Sequence, residues 1–327
     1  MKVLMVTNQY RKSIDHIVNP VVNRQVKELE KLGCNITVLY INKTEYGYLA
    51  YIKFIFKLIS LKYKKSFDII HVHFGGLQSF ITSLIFQKKS IVSFHGTDLH
   101  GGSPKGIFQS IKSKVNVFFS LLSAYMSGMS ILVSKNLAKS LPAKIKYKII
   151  PTGVDYKLFF PLPMEESKRL LNLDPKKNYV LFSDISNSPI KRKDIAISIV
   201  EKVIKKIGCA ELLIMSNVKP EDVVYYLNAS SVLLLTSDNE GSPNIIKEAL
   251  ACNLPVVSAD VGDISEYISS LNYCYAGERE VNTMSNAIIK IFEQDMSEDY
   301  RSRMKDKISS ELIGKRIKDC YIELLCK

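Results

Sequence analysis

Short apolar runs alternate along the whole chain with longer segments in which apolar residues recur every three or four positions. The short runs are typical of buried parallel strands, and the longer pattern is typical of helices packed on a sheet. Strictly alternating strands and helices favour doubly wound α/β sheets with parallel strands. We therefore predict ten strands, at residues 2–7, 35–40, 68–73, 91–95, 130–134, 148–151, 179–183, 211–216, 231–236 and 255–259.

A proline-punctuated connector follows the sixth predicted strand, with prolines at positions 151, 161 and 163. Because the chain has 327 residues and is 46% hydrophobic, it is too long for one typical core and long enough for two. We place an N-terminal domain at residues 1–155 and a C-terminal domain at residues 156–310. A connector of this composition suits a hinge.

Positive charge is concentrated in the first half of the chain. Residues 1–160 hold 23 Lys and Arg against 7 Asp and Glu, whereas the remainder holds 22 against 25. This asymmetry indicates an anionic partner for the N-terminal domain. Residues 46–65 favour a membrane surface as this partner. They mix aromatic, aliphatic and lysine residues in one predicted amphipathic helix, which is typical of contact with an anionic membrane surface. An ordinary surface helix with lysines extended to solvent is the alternative.

Other classes of protein and partner are disfavoured by the sequence. No nucleic-acid motif accompanies the charge, so we expect no nucleic-acid partner. Residues 115–133 carry no charge but contain four serines, and we predict a buried helix ending near Gly128 followed by a strand rather than a membrane span. Six cysteines without a CxxC pair, and an N-terminus that begins directly with a strand, predict a cytoplasmic protein with reduced thiols.

Candidate chemistry is densest after the ninth predicted strand. Ser242 and Pro243 have the residue types of a helix N-cap and first helical position, so a helix is predicted to start there, with Glu248 pointing out of the core. The preceding loop, which carries Glu240, lies at the carboxyl end of a strand, where open α/β sheets bind ligands. A helix N-terminus attracts phosphate, and two carboxylates can accept hydrogen bonds from sugar hydroxyls. The alternative is a capped helix with two solvated glutamates.

At these positions the chain resembles the family 4 retaining glycosyltransferases of bacterial surface-polysaccharide type. That family has the GT-B fold, in which two Rossmann-like, doubly wound domains face each other across a cleft. The matching positions are the pair Glu240 and Glu248, the run Gly241, Ser242, Pro243 and Asn244, and the run from Lys247 to Cys252. The resemblance implies that Glu248 binds the nucleotide ribose. It also implies that Glu240 and the backbone of residues 241–244 hold the donor sugar.

A basic run after the seventh strand matches the family's diphosphate site. Lys191 aligns with the family lysine that contacts the donor diphosphate, where a cation stabilises the leaving nucleotide. The family's arginine, a few residues earlier, is missing, and Arg192 or Lys193 are its candidate replacements, with simple solvent exposure as the alternative. The resemblance also implies that the main chain of Asn217 and Val218 contacts the base.

Histidines in the first half provide a further candidate site. His95, in the segment Phe-His-Gly-Thr-Asp, resembles the family histidine that contacts the donor sugar; a histidine bonded to backbone at a strand end is the alternative. His71 and His73 lie on one face of a strand, but no third ligand with suitable spacing supports a metal site. The loop at residues 8–20 lacks the glycine pair of many relatives.

The resemblance thus implies a retaining, metal-independent hexosyltransferase without a cofactor, using a nucleotide-diphosphate sugar, with a UDP-sugar as the expected donor. The expected acceptor is a lipid-linked glycan or an oligosaccharide in cell-surface polysaccharide synthesis. We expect peripheral attachment to the inner face of the cell membrane, and the family's C-terminal helix, here residues 311–327, to pack back on the first domain. Two alternatives remain: a GT-B sugar-nucleotide epimerase and a catalytically silent GT-B subunit that binds a partner glycosyltransferase.

Overall fold

The chain forms two compact units in the computed structural model. The structure describes residues 1–8, 20–42, 45, 47, 49–102, 106–184, 188–294 and 298–326. The first unit comprises Met1–Gly153 and Ser310–Lys327, and the second comprises Val154–Ser309. The sequence analysis placed the corresponding boundaries after residues 155 and 310. Most of the predicted loop at residues 8–20, and residues 185–187 of the basic run, lie outside the described residues.

The first unit is built on a six-stranded parallel sheet of order β2-β1-β3-β4-β5-β6. Its strands are β1 (Lys2–Thr7), β2 (Asn35–Tyr40), β3 (Ile69–His73), β4 (Ser90–Phe94), β5 (Met129–Leu132) and β6 (Tyr147–Ile149). Its helices are α1 (Pro20–Lys31), α2 (Leu49–Lys64), α3 (Leu77–Phe86), α4 (Thr97–His100), α5 (Ile107–Met126), α6 (Lys135–Ala138) and, at the C-terminus, α14 (Ser310–Leu325).

Helices cover both faces of this sheet, as parallel strands require. One core cluster joins the sheet to α2, α3 and α5, and includes Phe54, Leu58 and Ala124. The opposite cluster joins the sheet to α1 and α14, and includes Val26, Ile317 and Tyr321. The central strand β3 is buried along its whole length, which explains why it carries no charged residue except two histidines.

The second unit repeats the architecture with a five-stranded parallel sheet of order β11-β10-β9-β7-β8. Its strands are β7 (Asn178–Ser183), β8 (Ala210–Met215), β9 (Val232–Leu235), β10 (Val256–Ala259) and β11 (Tyr275–Gly277). Its helices are α7 (Met164–Leu170), α8 (Lys193–Ile207), α9 (Val223–Ala229), α10 (Asn244–Ala251), α11 (Ile264–Ile268), α12 (Val281–Glu293) and α13 (Tyr300–Ile308). One face of the sheet packs on α8 and α12, and the other packs on the remaining helices.

All ten predicted strands are present, and each of their ends lies within two residues of its predicted position. The eleventh strand, β11, was not predicted. It has three residues, contains a glycine and lies at the edge of the sheet, so it carries too little of the buried-strand pattern to be recognised.

The prediction that the helix before Gly128 is buried was wrong. Helix α5 is present, but it begins at Ile107 and buries only Ser120, Ser123 and Ala124. Its inward face is formed by serines that hydrogen-bond within the first unit: Ser123 accepts from Ser79 at 2.9 Å. Serines and Phe119 of α5 form the contact with α3, and several other large apolar residues of α5 remain exposed.

Arg301, on α13, ties the connector at the start of the second unit to the end of α10. Its guanidinium donates to the carbonyl oxygens of Phe159, Ala251 (2.9 Å) and Tyr156 (2.7 Å), and it lies 4.7 Å from the centre of the Tyr156 ring. A planar, five-donor group is required to reach three carbonyls at once.

We expect the substitution Arg301→Lys to lower the free energy of unfolding by about 2–4 kcal/mol, because a lysine leaves buried carbonyls without donors. Urea-induced unfolding measures this loss. Arg303→Lys, on the same helix, is the matched control, since Arg303 is half-exposed and its ion pair with Glu298 is worth about 1 kcal/mol or less. Equal losses in the two variants would contradict the role of Arg301.

Candidate active site

Strands β7 and β9 are neighbours, so the turn after β7 lies beside the loop after β9. The Thr236 hydroxyl lies 2.8 Å from the carbonyl oxygen of Lys191 and 3.0 Å from that of Arg192, and donates to them. The backbone N–H of Asp238 donates to the carbonyl oxygen of Ile190 at 2.8 Å. These bonds fix the two segments to each other at the carboxyl edge of the sheet, where ligands bind in open α/β folds.

Lys191 and Glu240 form an ion pair across this contact. The distance between Lys191 Nζ and Glu240 Oε1 is 2.6 Å, and their side chains are 21% and 18% exposed. The Ser237 hydroxyl donates to the same Glu240 oxygen at 2.9 Å. The two residues that the sequence analysis assigned to the diphosphate and to the sugar therefore touch, and each keeps some exposure to solvent.

Arg192 lies one residue beyond Lys191 but pairs with different carboxylates. Its guanidinium donates to both oxygens of Asp194, at 2.7 and 3.0 Å, and reaches Asp238 at 3.4 Å. These carboxylates, Asp194 above all, raise the pKa of Arg192. Arg279, after β11, also donates to Asp238 and to the carbonyl oxygen of Thr236, the latter at 3.1 Å. Three cations thus lie around the ends of β7, β9 and β11.

The start of α10 differs from the prediction. The helix begins at Asn244, Pro243 occupies the cap position, and no side chain makes a capping bond. Ser242 is not the N-cap, because its hydroxyl donates instead to Asp263 Oδ2 at 2.6 Å and accepts from the Lys247 amine at 2.5 Å. The local sequence suggested a cap, but a buried carboxylate from the next loop competes for the hydroxyl.

Lys247 and Asp263 form a buried polar network beneath this turn. Lys247 is fully buried, its amine lies 5.4 Å from the centre of the Tyr267 ring, and the Tyr267 hydroxyl donates to Asp263 Oδ2 at 2.9 Å. Burial raises the pKa of Asp263, and the charge of Lys247 acts in the opposite direction. The network holds the turn of residues 241–243 from below.

Gly262 allows this underlying loop to approach closely. It has a φ of +68°, and a Cβ atom there would lie 2.7 Å from the carbonyl oxygen of Gly241 and 2.9 Å from that of Glu240. Any side chain at position 262 would therefore displace the loop that carries Glu240.

Glu248 is only 8% exposed, so it is not the solvated glutamate of the alternative interpretation. All residues from Ile245 to Ala251 are buried, because α10 is enclosed on several sides and packs directly against α13. A carboxylate in such surroundings is held in one orientation by its neighbours, in contrast to a solvated glutamate.

The predicted base-contact residues lie in the loop after β8. Asn217 adopts a left-handed backbone conformation with a φ of 52°, which asparagine tolerates better than most residues. The Val218 side chain packs in the core, so only the main chain of Val218 is available for contact with a ligand.

His95 lies in the first unit, at the end of β4. The buried carboxylate of Asp98 accepts hydrogen bonds from the backbone N–H groups of His95, Gly96 and Gly75, at 2.8 to 3.1 Å. The His95 ring packs on Phe74, with 4.2 Å between ring centres. Asp98, which matches the last residue of the family segment, therefore fixes the backbone that presents His95.

A chain of hydrogen bonds orients the His95 imidazole. The Gln25 amide nitrogen, which can only donate, lies 3.2 Å from His73 Nε2, and His73 Nδ1 lies 3.2 Å from His95 Nε2. If Gln25 donates to His73 Nε2, a neutral His73 carries its proton on Nδ1 and donates it to His95, and a neutral His95 then carries its own proton on Nδ1.

His71 and His73 are both fully buried and stacked, with 4.5 Å between ring centres. His71 contacts the Tyr321 hydroxyl on α14 at 2.6 Å and the Ser93 hydroxyl at 2.7 Å. Burial lowers the pKa of His71 to about 3 and lowers that of His73 well below its usual value. Among the described residues, no group of three or more His, Cys, Asp or Glu side chains is placed to hold a metal ion.

Three site residues escaped the sequence analysis. Arg279 follows the strand that was not predicted, and Asp263 lies in a loop without a motif. Lys247 was named only as the first residue of the run from Lys247 to Cys252 that matches the family sequence. The sequence signal for Lys247 is a single lysine among the apolar residues Ile245, Ile246, Ala249 and Leu250.

Comparison with known proteins finds a family match over much of the second unit. Residues 200–310 match the family described as Glycosyl transferases group 1. Among curated relatives, N-acetyl-α-D-glucosaminyl L-malate synthase of Bacillus anthracis is 21% identical over 82% of this chain and 78% of its own length. A putative teichuronic acid biosynthesis glycosyltransferase of Bacillus subtilis is 24% identical over 68% of this chain and 61% of its own length.

Solved structures share the fold over nearly the whole chain. Sucrose-phosphate synthase from Thermosynechococcus elongatus aligns with a TM-score of 0.80 at 15% identity, covering 99% of each chain. Anabaena HepE, solved in complex with UDP-glucose, aligns with a TM-score of 0.70 at 16% identity, covering 99% of this chain and 100% of its own. Together with the two parallel-sheet units, these alignments show that the protein has the GT-B fold, as predicted.

The buried histidine pair makes stability depend on pH. Both histidines have a pKa below the unfolded value, so their stabilising contribution is complete above about pH 6.5 and is lost as the pH falls, because the unfolded chain binds protons that the folded chain does not. Between pH 7.5 and 5.5 we expect a loss of about 1.4 kcal/mol for each histidine.

The variant His71→Asn, which keeps a polar group near Tyr321, should lose about half of this pH dependence in urea unfolding series. His100→Asn, which removes an exposed histidine, is the control and should keep the wild-type slope. An unchanged slope in His71→Asn would show that the buried pair does not titrate in the unfolding reaction.

Proposed function

We propose that the protein is a retaining glycosyltransferase that moves a sugar from a nucleotide-diphosphate sugar, with a UDP-sugar as donor, to a lipid-linked glycan in cell-surface polysaccharide synthesis. The observation that carries the proposal is the Lys191–Glu240 pair at the carboxyl edge of a parallel sheet, beside a group 1 glycosyl transferase motif. Retention of configuration and independence from metal are carried over from the family 4 resemblance.

The second unit contains cationic and backbone N–H groups that are suited to bind the donor diphosphate. Lys191 supplies a point charge, and the first turn of α10 supplies backbone N–H groups at a helix N-terminus. Arg279 reaches the end of β9, so it is a candidate for the cation that the missing family arginine would provide. Binding of a diphosphate would exchange the Lys191–Glu240 contact for contacts of each residue with the ligand, Lys191 with phosphate and Glu240 with a sugar hydroxyl.

The sugar and ribose hydroxyls are assigned to carboxylates and to His95. Glu248, nearly buried and fixed by its helix, suits the ribose diol, since a preorganised acceptor costs little to order on binding. The hydrogen bond from His73 leaves Nδ1 as the donor atom of a neutral His95, which can then donate to a sugar oxygen without carrying a charge. As the sugar leaves, Lys191 and the end of α10 would stabilise the charge of the departing nucleotide.

The acceptor and the membrane are assigned to the first unit. Its excess of positive charge suits an acceptor with an anionic lipid carrier, and α2 corresponds to the predicted amphipathic helix. No helix in the described part of the chain is long and apolar enough to cross a membrane. We therefore propose peripheral attachment to the inner face of the cell membrane.

Nucleotide binding is the first test. At a UDP concentration about a hundredfold above Kd, we expect the protein to gain about 2.7 kcal/mol of stability, measured as a rise in Tm. The substitution Glu248→Gln should raise Kd at least tenfold, because it removes a charged acceptor from the ribose. Glu201→Gln, at an exposed position of α8, is the control and should bind as the wild type does.

Turnover distinguishes the proposal from its alternatives. Release of UDP from a UDP-sugar in the presence of a lipid-linked acceptor, with the product keeping the donor's anomeric configuration, supports a retaining transferase. UDP binding without turnover, with co-purification of a partner enzyme, identifies the silent subunit. Conversion of the nucleotide sugar without an acceptor identifies an epimerase. If no nucleotide stabilises the wild type, the donor-site assignment is wrong.

A further inference from the structure

Helix α5 carries a row of exposed apolar side chains that the sequence analysis assigned, in part, to the core. The row begins in the first turn, where Phe108 is 91% exposed. Its other members follow at helical spacing, so they lie along one side of the helix. The exposed members are Ile107, Phe108, Ile111, Val115 and Phe118.

Helix α2 exposes a second row of the same kind. Its inward side buries Ala50, Phe54 and Leu58, while Phe56 on the other side is 69% exposed. The exposed members are Leu49, Ile52, Phe56, Ile59 and Tyr63.

The two rows belong to one face of the first unit. Helix α3 lies between α2 and α5 and contacts both: the Lys62 amine on α2 donates to the carbonyl oxygen of Ile85 at 3.1 Å, and Phe80 packs on Phe119 of α5 with 5.1 Å between ring centres. All three helices cover the same core cluster on the same side of the sheet. We call the exposed side chains of α2 and α5 the apolar-basic face.

Charge on this face has a single sign. Helix α2 carries four lysines and α5 carries two, α3 carries no charge, and none of the three helices contains an Asp or a Glu. Lys112 and Lys114 of α5 are exposed and follow the most exposed part of its apolar row. Aromatic and aliphatic side chains flanked by lysines, without carboxylates, complement the acyl boundary and the negative headgroups of an anionic bilayer.

A second copy of the chain fits this face less well. In a symmetric pair the same patch contacts itself, so the lysines of α2 and α5 would face lysines without any carboxylate on these helices to compensate them. An anionic lipid surface satisfies both the apolar side chains and the lysines.

We propose that α2 and α5 together form a docking surface for an anionic lipid bilayer, with Ile107, Phe108 and Ile111 of α5 entering the interface. This inference deepens the membrane assignment of the proposed function. It adds α5, part of which the sequence analysis assigned to the core, to the surface that contacts the membrane. It does not depend on donor chemistry.

Vesicle co-sedimentation of the full chain tests the proposal. We expect the wild type to bind phosphatidylcholine vesicles with 30% phosphatidylglycerol at least tenfold more strongly than pure phosphatidylcholine vesicles. The double variant Phe108→Ser/Ile111→Ser keeps the net charge and should lower the partition coefficient at least tenfold, since it removes two large apolar side chains from the lipid interface. The matched control, Met164→Ser/Leu170→Ser, removes two exposed apolar residues from α7 of the second unit and should change binding less than twofold.

Charge and apolar contact can be separated. Lys112→Gln/Lys114→Gln should weaken binding to the anionic vesicles about tenfold or more at low salt, and this effect should shrink at high salt. All variants should keep the nucleotide-induced rise in Tm of the wild type, so a failure of donor binding is seen separately from a failure of vesicle binding.

Three results would overturn the proposal. The wild type could fail to prefer anionic vesicles, or Phe108→Ser/Ile111→Ser could bind them as the wild type does. A concentration-dependent dimer, seen by light scattering and dissolved by the same double variant, would instead identify the apolar-basic face as an interface between copies of the chain.

Discussion

The parallel pairing of β7 with β9 is the constraint on which the candidate site of the second unit depends. Lys191 and Glu240 are 49 residues apart in sequence, and they meet because adjacent parallel strands end at the same edge of a sheet. The bonds from Thr236 and Asp238 then lock the two segments together. Arg192 and Arg279 lie beside that contact, and both bond to Asp238.

Buried ionisable groups hold the functional loops of both units. Lys247 and Asp263 support the turn before α10, and Asp98 together with His73 fixes His95. Such groups are costly to bury, so they are kept either paired or neutral. Their hydrogen bonds offset this cost and hold the loops above them in place.

Helices of similar apolar content have different surroundings in this protein. Helix α10 is enclosed so fully that a lysine and a glutamate are buried with it, whereas α5 turns serines inward and leaves phenylalanines exposed. The contrast is consistent with two tasks: α10 belongs to a site that binds a small polar ligand, and the exposed row of α5 suits an extended apolar surface. Hydrophobic composition alone does not distinguish these cases, since exposure depends on what packs beside the helix.

The sequence by itself determined ten of the strands, the two-domain α/β architecture and the uneven charge, because buried-strand patterns, chain length and residue counts are local or additive properties. It also marked Glu240 and Glu248 as candidates through their spacing, and Lys191 through its resemblance to a family lysine, although their roles stay predictions. Only the tertiary structure decided that Ser242 bonds to Asp263 rather than caps α10, that Arg279 joins the edge of β9, and that α5 exposes its apolar row. Each of these depends on a partner distant in sequence, whose position follows from strand order and helix packing and is not encoded in the local pattern.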